Sequence, residues 1–315
     1  MPEFNTKSQI IEPTRVSVIV IARDEQDNIV PCLKSIHAQD YPMENFEIIM
    51  VDDHSEDDTI AKAEQLQITN LKILKLSDAI DSKEKVISFK KKAIDFAIKN
   101  STGELLIFTD ADSEVSKEWI SEFVKAHQST NAQMIAAPVV FWKEDSFIQK
   151  FQSLDFLGMM LITAAGIKGK YHYMCNGANL AYSRKIFETV NGFEGNDHFA
   201  SGDDIFLMQK IAKRNPEDIF FLKSKKSIVK TKAQTDYRSF VKQRLRWGTK
   251  SSAYESLSTK MQLLIVWIFM MNILISISMV VLDPKIGILM LTFQILIKSI
   301  ADYILLKSYA LLLEH

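Results

Sequence analysis

The sequence predicts an α/β domain built on a mostly parallel central sheet, followed by C-terminal transmembrane helices, and three observations carry this. Short β-branched or apolar runs alternate with helical patterns through the first 140 residues. Such alternation gives a parallel sheet covered on both faces. Of 38 Lys plus Arg and 39 Asp plus Glu, only six lie beyond residue 260. Residues 261–282 are 22 positions without one ionisable side chain, and about 20 apolar residues suffice to cross the hydrocarbon of a bilayer.

Residues 1–15 read as a tail. Pro2 and Glu3 stand where a secretory signal would be basic, so the domain that follows is expected to stay in the cytoplasm. Strands are expected at 16–22, 46–51, 71–76, 104–109 and 133–141, with helices at 28–38, 57–67, 83–99 and 117–127. The third helix carries Val86, Phe89, Ala93, Ile94, Ala97 and Ile98 as one apolar stripe. Further on come a long apolar helix at 147–167, the patch Asn176-Gly177-Ala178-Asn179 and a helix at 203–213. No linker composition interrupts them, so residues 16–235 are expected to form one domain.

Residues 236–260 read as an interfacial region and 261–315 as a transmembrane hairpin. Asp283-Pro284-Lys285 makes the turn, and 286–306 is long enough to return. Lys298 and Asp302, at i,i+4 spacing, are expected to pair on a protein-facing stripe. The alternative is a buried hairpin in a soluble helical domain. Lys223, Lys225, Lys226, Lys230, Lys232, Arg238, Lys242, Arg244, Arg246 and Lys250 precede the first span, as a cytoplasmic flank requires. The expected location is therefore the inner (plasma) membrane, multi-pass, with the large domain cytoplasmic. Leu313-Glu314-His315 reads as an appended tail and is left out of fold reasoning.

The formal net charge of −1 excludes a global pull toward nucleic acid. Cys32 and Cys175 stand far apart with no CxxC spacing, which excludes a disulfide framework and a cysteine zinc site and points to a reducing compartment.

Four constellations carry chemistry. Val51-Asp52-Asp53-His54-Ser55 is an apolar strand that stops in two carboxylates; alone it also fits a turn in which Ser55 or Asp57 caps the next helix. Phe108-Thr109-Asp110-Ala111-Asp112-Ser113 ends a second strand, and two carboxylates around a small residue offer oxygen ligands to a hard divalent cation. Gathering such carboxylates costs energy unless a cation offsets it. Ser201-Gly202-Asp203-Asp204 opens a helix, where an Asp pair either caps or takes a proton from an attacking hydroxyl. In Gln243-Arg244-Leu245-Arg246-Trp247, the amide, guanidinium and indole of Gln243, Arg246 and Trp247 share one helix face. A diphosphate suits the Arg fork and a sugar ring the Trp face; an ordinary interfacial helix is the competing reading.

Taken in order, these motifs and the span behind them resemble the family 2 glycosyltransferases of GT-A fold, in particular the membrane-embedded synthases of the cellulose, chitin and hyaluronan type. The likeness runs from Val16 to Trp247 and into the membrane helices. It implies a nucleotide-sugar donor, with UDP the family expectation, a glycan or lipid-linked acceptor, and a divalent cation, Mg2+ or Mn2+. By the resemblance, Ala22, Arg23 and Glu25 belong to the loop where base and ribose rest, although Asn is usual where Asp24 stands, and Asp53 contacts the uracil or ribose. Lys91 or Lys92, in Phe89-Lys90-Lys91-Lys92-Ala93, meets donor phosphate. Asp110 and Asp112 match Asp-x-Asp, whose second carboxylate holds the metal on the diphosphate.

Asn176, Gly177 and Asn179 resemble the acceptor side. Asp204 takes the general-base position, beside Asp203 where Glu is common. Gln243 and Arg246 would serve the donor and Trp247 the acceptor, since the three match Gln-x-x-Arg-Trp. The resemblance implies inverting single displacement. Rival readings are a nucleotidyltransferase, a polyprenyl-phosphate glycosyltransferase and a catalytically silent synthase subunit, and an oligomer or synthase complex is compatible with the two visible spans.

Overall fold

The computed structural model describes residues 10–80, 88–195, 202–248 and 257–314. The expectations that fall on residues 1–9, on 83–87 with Val86, on Ser201, on 249–256 with Lys250 and on His315 lie outside the described residues.

Ten strands and ten α-helices follow in chain order among the described residues: β1 Val16–Ala22, α1 Ile29–His37, β2 Phe46–Asp52, α2 Thr59–Glu64, β3 Leu71–Lys75, α3 Phe89–Lys99, β4 Leu105–Asp110, β5 Glu114–Val115, α4 Trp119–Thr130, β6 Met134–Ala136, β7 Val139–Trp142, α5 Phe147–Gly169, β8 Leu180–Ser183, α6 Arg184–Thr189, α7 Asp203–Arg214, β9 Ile219–Phe221, β10 Val229–Lys232, α8 Tyr237–Gly248, α9 Leu257–Leu282 and α10 Pro284–Glu314. The chain divides into two compact units, Met1–Gln243 and Arg244–His315.

In the first unit a seven-stranded sheet has the order β3-β2-β1-β4-β8-β6-β9. All neighbours pair parallel except β8, which runs against both β4 and β6. The central β1 reads VSVIVIA and is buried on both faces, as a parallel strand under two helical layers must be. A second sheet, β5-β10-β7, stands apart from it.

The run 133–141, expected as one strand, is two strands in two sheets. Pro138 is the reason: it has no N–H for a ladder, and its carbonyl accepts from Val229 N at 3.1 Å and from Asn179 Nδ2 at 2.6 Å. The chain therefore leaves the large sheet there and joins the small one.

In the second unit Leu263–Leu282 and Pro284–Ile304 are long and apolar enough to cross a membrane, with mean hydropathy 2.5 and 1.5. Asp283 caps α10, its Oδ1 accepting from Lys285 N at 3.1 Å and Ile286 N at 3.3 Å, with Pro284 ahead of them in the first turn. Gly287 lets the two helices meet, since a Cβ there would lie 2.2 Å from Val280 N. Ser276 Oγ accepts from Gln294 Nε2 at 2.9 Å between them. Lys298 and Asp302 pair at 2.6 Å as expected, but both are exposed in this unit and not turned onto protein.

Candidate active site

The site is built at the carboxyl ends of β2, β1 and β4, the edge where parallel sheets bind ligands. Register sets Ala22 opposite Asp52 and Ile21 opposite Asp110, and Asp53 N donates to the Ala22 carbonyl at 2.8 Å. Three chain segments thus leave the sheet together.

The loops after β1 and β2 are stapled to each other. Asp24 N donates to Ser55 Oγ at 3.0 Å, Glu56 N to Asp24 Oδ1 at 2.8 Å, Glu25 N to Thr59 Oγ1 at 2.8 Å and Gln26 N to Asp57 Oδ2 at 3.0 Å. Asp24 has φ +55°, a left-handed conformation that Asp and Asn tolerate because their short polar chains bond locally. Asp24 bonds locally in this way through its Oδ1 and Glu56 N. Arg23 is exposed and lies 3.8 Å from Asp24. Asp53, only 8 % exposed, holds Nδ1 of His54 at 3.0 Å, and the His54 ring meets Phe89 edge-on at 5.3 Å.

Beside this lies an acidic centre. Asp110 ends β4 and pairs with Lys90 Nζ at 3.1 Å. Asp110 first, then Asp203 and Asp204, hold the Lys90 ammonium more firmly protonated than an ordinary lysine, against the opposing effect of burial. Burial, and then the charge of Asp110, push the Asp112 carboxyl above its usual range, while hydrogen bonds from Thr231 and Ser113 oppose the shift. Glu25 is also pushed up by burial, with Asp112 and Asp110 adding to it; Asn28, donating at 2.6 Å, and Lys232 work against it. Beneath them the buried Cys32 thiol sits 3.7 Å from the Asp110 carbonyl and is pushed up by burial and by these same carboxylates.

Of the three consecutive lysines, Lys90 reaches the acidic centre. Lys91 is buried, its ammonium 6.0 Å from the Phe206 ring centre, and Lys92 is exposed. Successive helical residues point about 100° apart, so one turn of lysines cannot all face one ligand. The expectation was that Lys91 or Lys92 meets donor phosphate; Lys90, which pairs with Asp110 and borders the pocket, is a further candidate for that role.

The carboxylates fit a hard cation as an open edge and not as a closed cage. Among the described residues no group of three or more His, Cys, Asp or Glu side chains encloses a metal site. Yet Asp112 and Glu25 are raised by burial first and by neighbouring negative charge after it, and a divalent ion with oxygen ligands relieves the second of these costs.

On the other side of Lys90, α7 opens at Gly202, whose φ of +95° favours glycine. Asp204 Oδ2 accepts from Gly177 N at 2.9 Å and its Oδ1 from Ile205 N at 2.9 Å. Asp203 is buried, and Lys90, Asp110, Gly177, Tyr182, Asp203 and Asp204 border one pocket whose remaining walls are largely apolar. Asn176 Oδ1 accepts from Ala178 N at 2.9 Å and shapes the turn. Asn179, expected at the acceptor side, is held inside the fold. It is fully buried, accepts from Trp119 Nε1 at 2.9 Å, and donates to Pro138 O at 2.6 Å and Ser227 O at 2.7 Å.

Gln243 ends the first unit, while Arg246 and Trp247 belong to the second. Within that unit the Arg244 guanidinium lies over the Trp247 ring at 4.6 Å.

Residues 17–190 match the family described as Glycosyl transferase family 2. The chain belongs to that family. Residues 105–312 also match the description Glycosyl transferase family group 2. A curated relative, the glycosyltransferase AglE of Haloferax volcanii, is 25 % identical over 194 residues, covering 60 % of this chain and 59 % of its own. The chain thus spans about three fifths of that relative's length.

Two solved glycosyltransferase structures share the fold. Staphylococcus aureus TarS 1-349 in complex with UDP-GlcNAc has a TM-score of 0.53 at 20 % identity, covering 70 % of this chain and 59 % of that one. Mannosyltransferase PcManGT from Pyrobaculum calidifontis, with GDP-Man and Mn2+, has a TM-score of 0.53 at 19 % identity, covering 74 % and 61 %. The expected likeness to cellulose, chitin and hyaluronan synthases is corrected: the homologues are AglE and TarS, and the resemblance holds at the level of the family.

Proposed function

We propose that this family 2 member is a membrane-attached inverting glycosyltransferase that moves a sugar from a nucleotide-sugar donor, a UDP-sugar, to a hydroxyl of a glycan or lipid-linked acceptor at the cytosolic face of the membrane. The observation that carries the reading is one pocket edge bordered by Lys90, Asp110, Asp203 and Asp204, with Asp110 ending the central β4.

In this reading the nucleoside rests against the stapled loops of Ala22, Arg23 and Asp53, and Lys90 offers positive charge to the diphosphate. Asp204, fixed by Gly177 N–H and the first turn of α7, takes the proton of the acceptor hydroxyl as its oxygen attacks the anomeric carbon. The bond from that carbon to the diphosphate breaks, and its electron pair leaves with the nucleoside diphosphate. Mg2+ or Mn2+, held by Asp112 with Asp110, would supply charge stabilisation to the departing group. Asp203 shares the charge environment of Lys90. The donor role of Gln243 and Arg246 and the acceptor role of Trp247 rest on the Gln-x-x-Arg-Trp match.

Membranes containing the chain, incubated with labelled UDP-glucose, UDP-N-acetylglucosamine and UDP-galactose, should release UDP with one of them. Label recovered in a lipid extract would assign a lipid-linked acceptor. Asp204→Asn should lower turnover by about 100-fold or more. Turnover near wild type in that variant overturns the base assignment, and full activity in excess chelator overturns the cation.

A further inference from the structure

Strand β10 brings two side chains to the acidic centre that no motif singles out. β10 pairs antiparallel with β5, Val229 opposite Val115 and Lys230 opposite Glu114. Thr231 and Lys232 continue β10 past that pairing on opposite faces of the strand, Thr231 buried and Lys232 exposed. The Thr231 hydroxyl hydrogen-bonds Asp112. The Lys232 ammonium donates to Asn28 Oδ1 at 2.5 Å, and Asn28 Nδ2 donates to Glu25 Oε2 at 2.6 Å. On its other side β10 is held by β7 over four residues, Val229 to Lys232 opposite Val139 to Trp142. The lysine therefore stands at the end of a strand paired on both edges at Val229 and Lys230 and on the β7 edge through Lys232.

In sequence Lys232 belongs to the basic run ahead of the first span, and its place in that run suggests only a membrane-facing charge. In the fold its charge acts on Glu25, a carboxylate that also feels Asp112 and Asp110, while Lys90 pairs with Asp110. A fixed positive charge beside a cation site has a defined consequence. It repels an incoming divalent ion, and the repulsion is cancelled when the negative diphosphate arrives with it.

We propose that Lys232 is a positioning residue of the donor site: through Asn28 it orients Glu25, and its ammonium weakens cation binding to the donor-free Asp110/Asp112 pair so that cation and diphosphate load together. The inference rests on the reading of Asp110 and Asp112 as the cation pair.

The test measures Mn2+ binding to the full-length chain in detergent, without donor, from the electron paramagnetic resonance of free Mn2+. Lys232→Met should tighten Mn2+ binding by about three- to tenfold, the scale of removing one nearby unit charge in a solvent-exposed setting. Lys232→Arg should stay near wild type, and added UDP should improve Mn2+ affinity less in Lys232→Met than in wild type. A purely structural role would loosen binding in Lys232→Met, so tightening is the distinguishing sign. Unchanged or weaker Mn2+ binding in Lys232→Met, with Asp112→Asn still abolishing it in the wild-type background, overturns the role of Lys232 alone. Wild-type Mn2+ binding indifferent to Asp112→Asn overturns the cation pair, and this inference with it.

Discussion

Asn179→Ala separates a scaffold role from an acceptor-binding one, and the structure gives its magnitude. The side chain is 0 % exposed and makes three hydrogen bonds, from Trp119 Nε1 and to the carbonyls of Pro138 and Ser227. Losing three bonds at about 1 kcal/mol each, and leaving the buried Trp119 N–H without an acceptor, costs about 3 to 5 kcal/mol. For a unit of this size that lowers the melting temperature by roughly 10 °C. Thermal unfolding of the full chain in detergent, followed by tryptophan fluorescence, reads the effect, since Trp119 is itself part of the cluster. Asn179→Asp should be at least as damaging, because it keeps an acceptor for Trp119 but sets acceptors against two carbonyls. A melting temperature within about 2 °C of wild type, combined with a raised acceptor KM, would refute this account and put Asn179 back at the acceptor.

Lys90→Ala should lower kcat/KM for the donor by about 10- to 100-fold, the scale of one charge-assisted contact, while Lys92→Ala stays within about twofold; equal effects would refute the selection of Lys90. Asp112 has its carboxyl raised by burial and by Asp110, so the stability its neutral form confers is present below the usual carboxylate range and lost as pH rises through the raised value. Asp112→Asn should therefore melt higher than wild type near neutral pH in excess chelator and lose the stabilisation that Mn2+ gives the wild type; identical melting curves in chelator would count against the crowded carboxylates. Gly202→Ala forces a side chain into φ +95°, costing about 1 to 2 kcal/mol, and should depress turnover through the displaced Asp203 and Asp204; an unchanged melting temperature and rate would refute the strain.

The middle of the large sheet is legible in the sequence because β1 and β2 are buried on both faces and read as nearly unbroken apolar runs: 16–22 and 46–51 are found within a residue of their predicted ends. The small sheet is not legible. β5 is two residues long and β10 reads VKTK, too short and too polar for a period to register. The run 133–141 fails for a related reason. Its apolar pattern is continuous, and only the tertiary partners of the Pro138 carbonyl, Asn179 and Val229, decide that the chain changes sheets there.

The same division governs the site. Asp53, Asp110 and Asp204 stand out in the sequence because each lies at or next to the end of an element, a position the local sequence marks. That Lys90 is the lysine paired with Asp110 could not be read from the run of three, because it depends on the phase of α3 against β4. Phase also explains Asn179. As the third member of Asn176-Gly177-Ala178-Asn179 to carry a polar or flexible side of the turn, it resembles its neighbours in composition. Its direction is set by Trp119, about 60 residues earlier in the chain. Composition therefore does not separate the members of such a patch. The ones that hold the scaffold are those whose every donor and acceptor already has a protein partner, and that property exists only once the fold is formed.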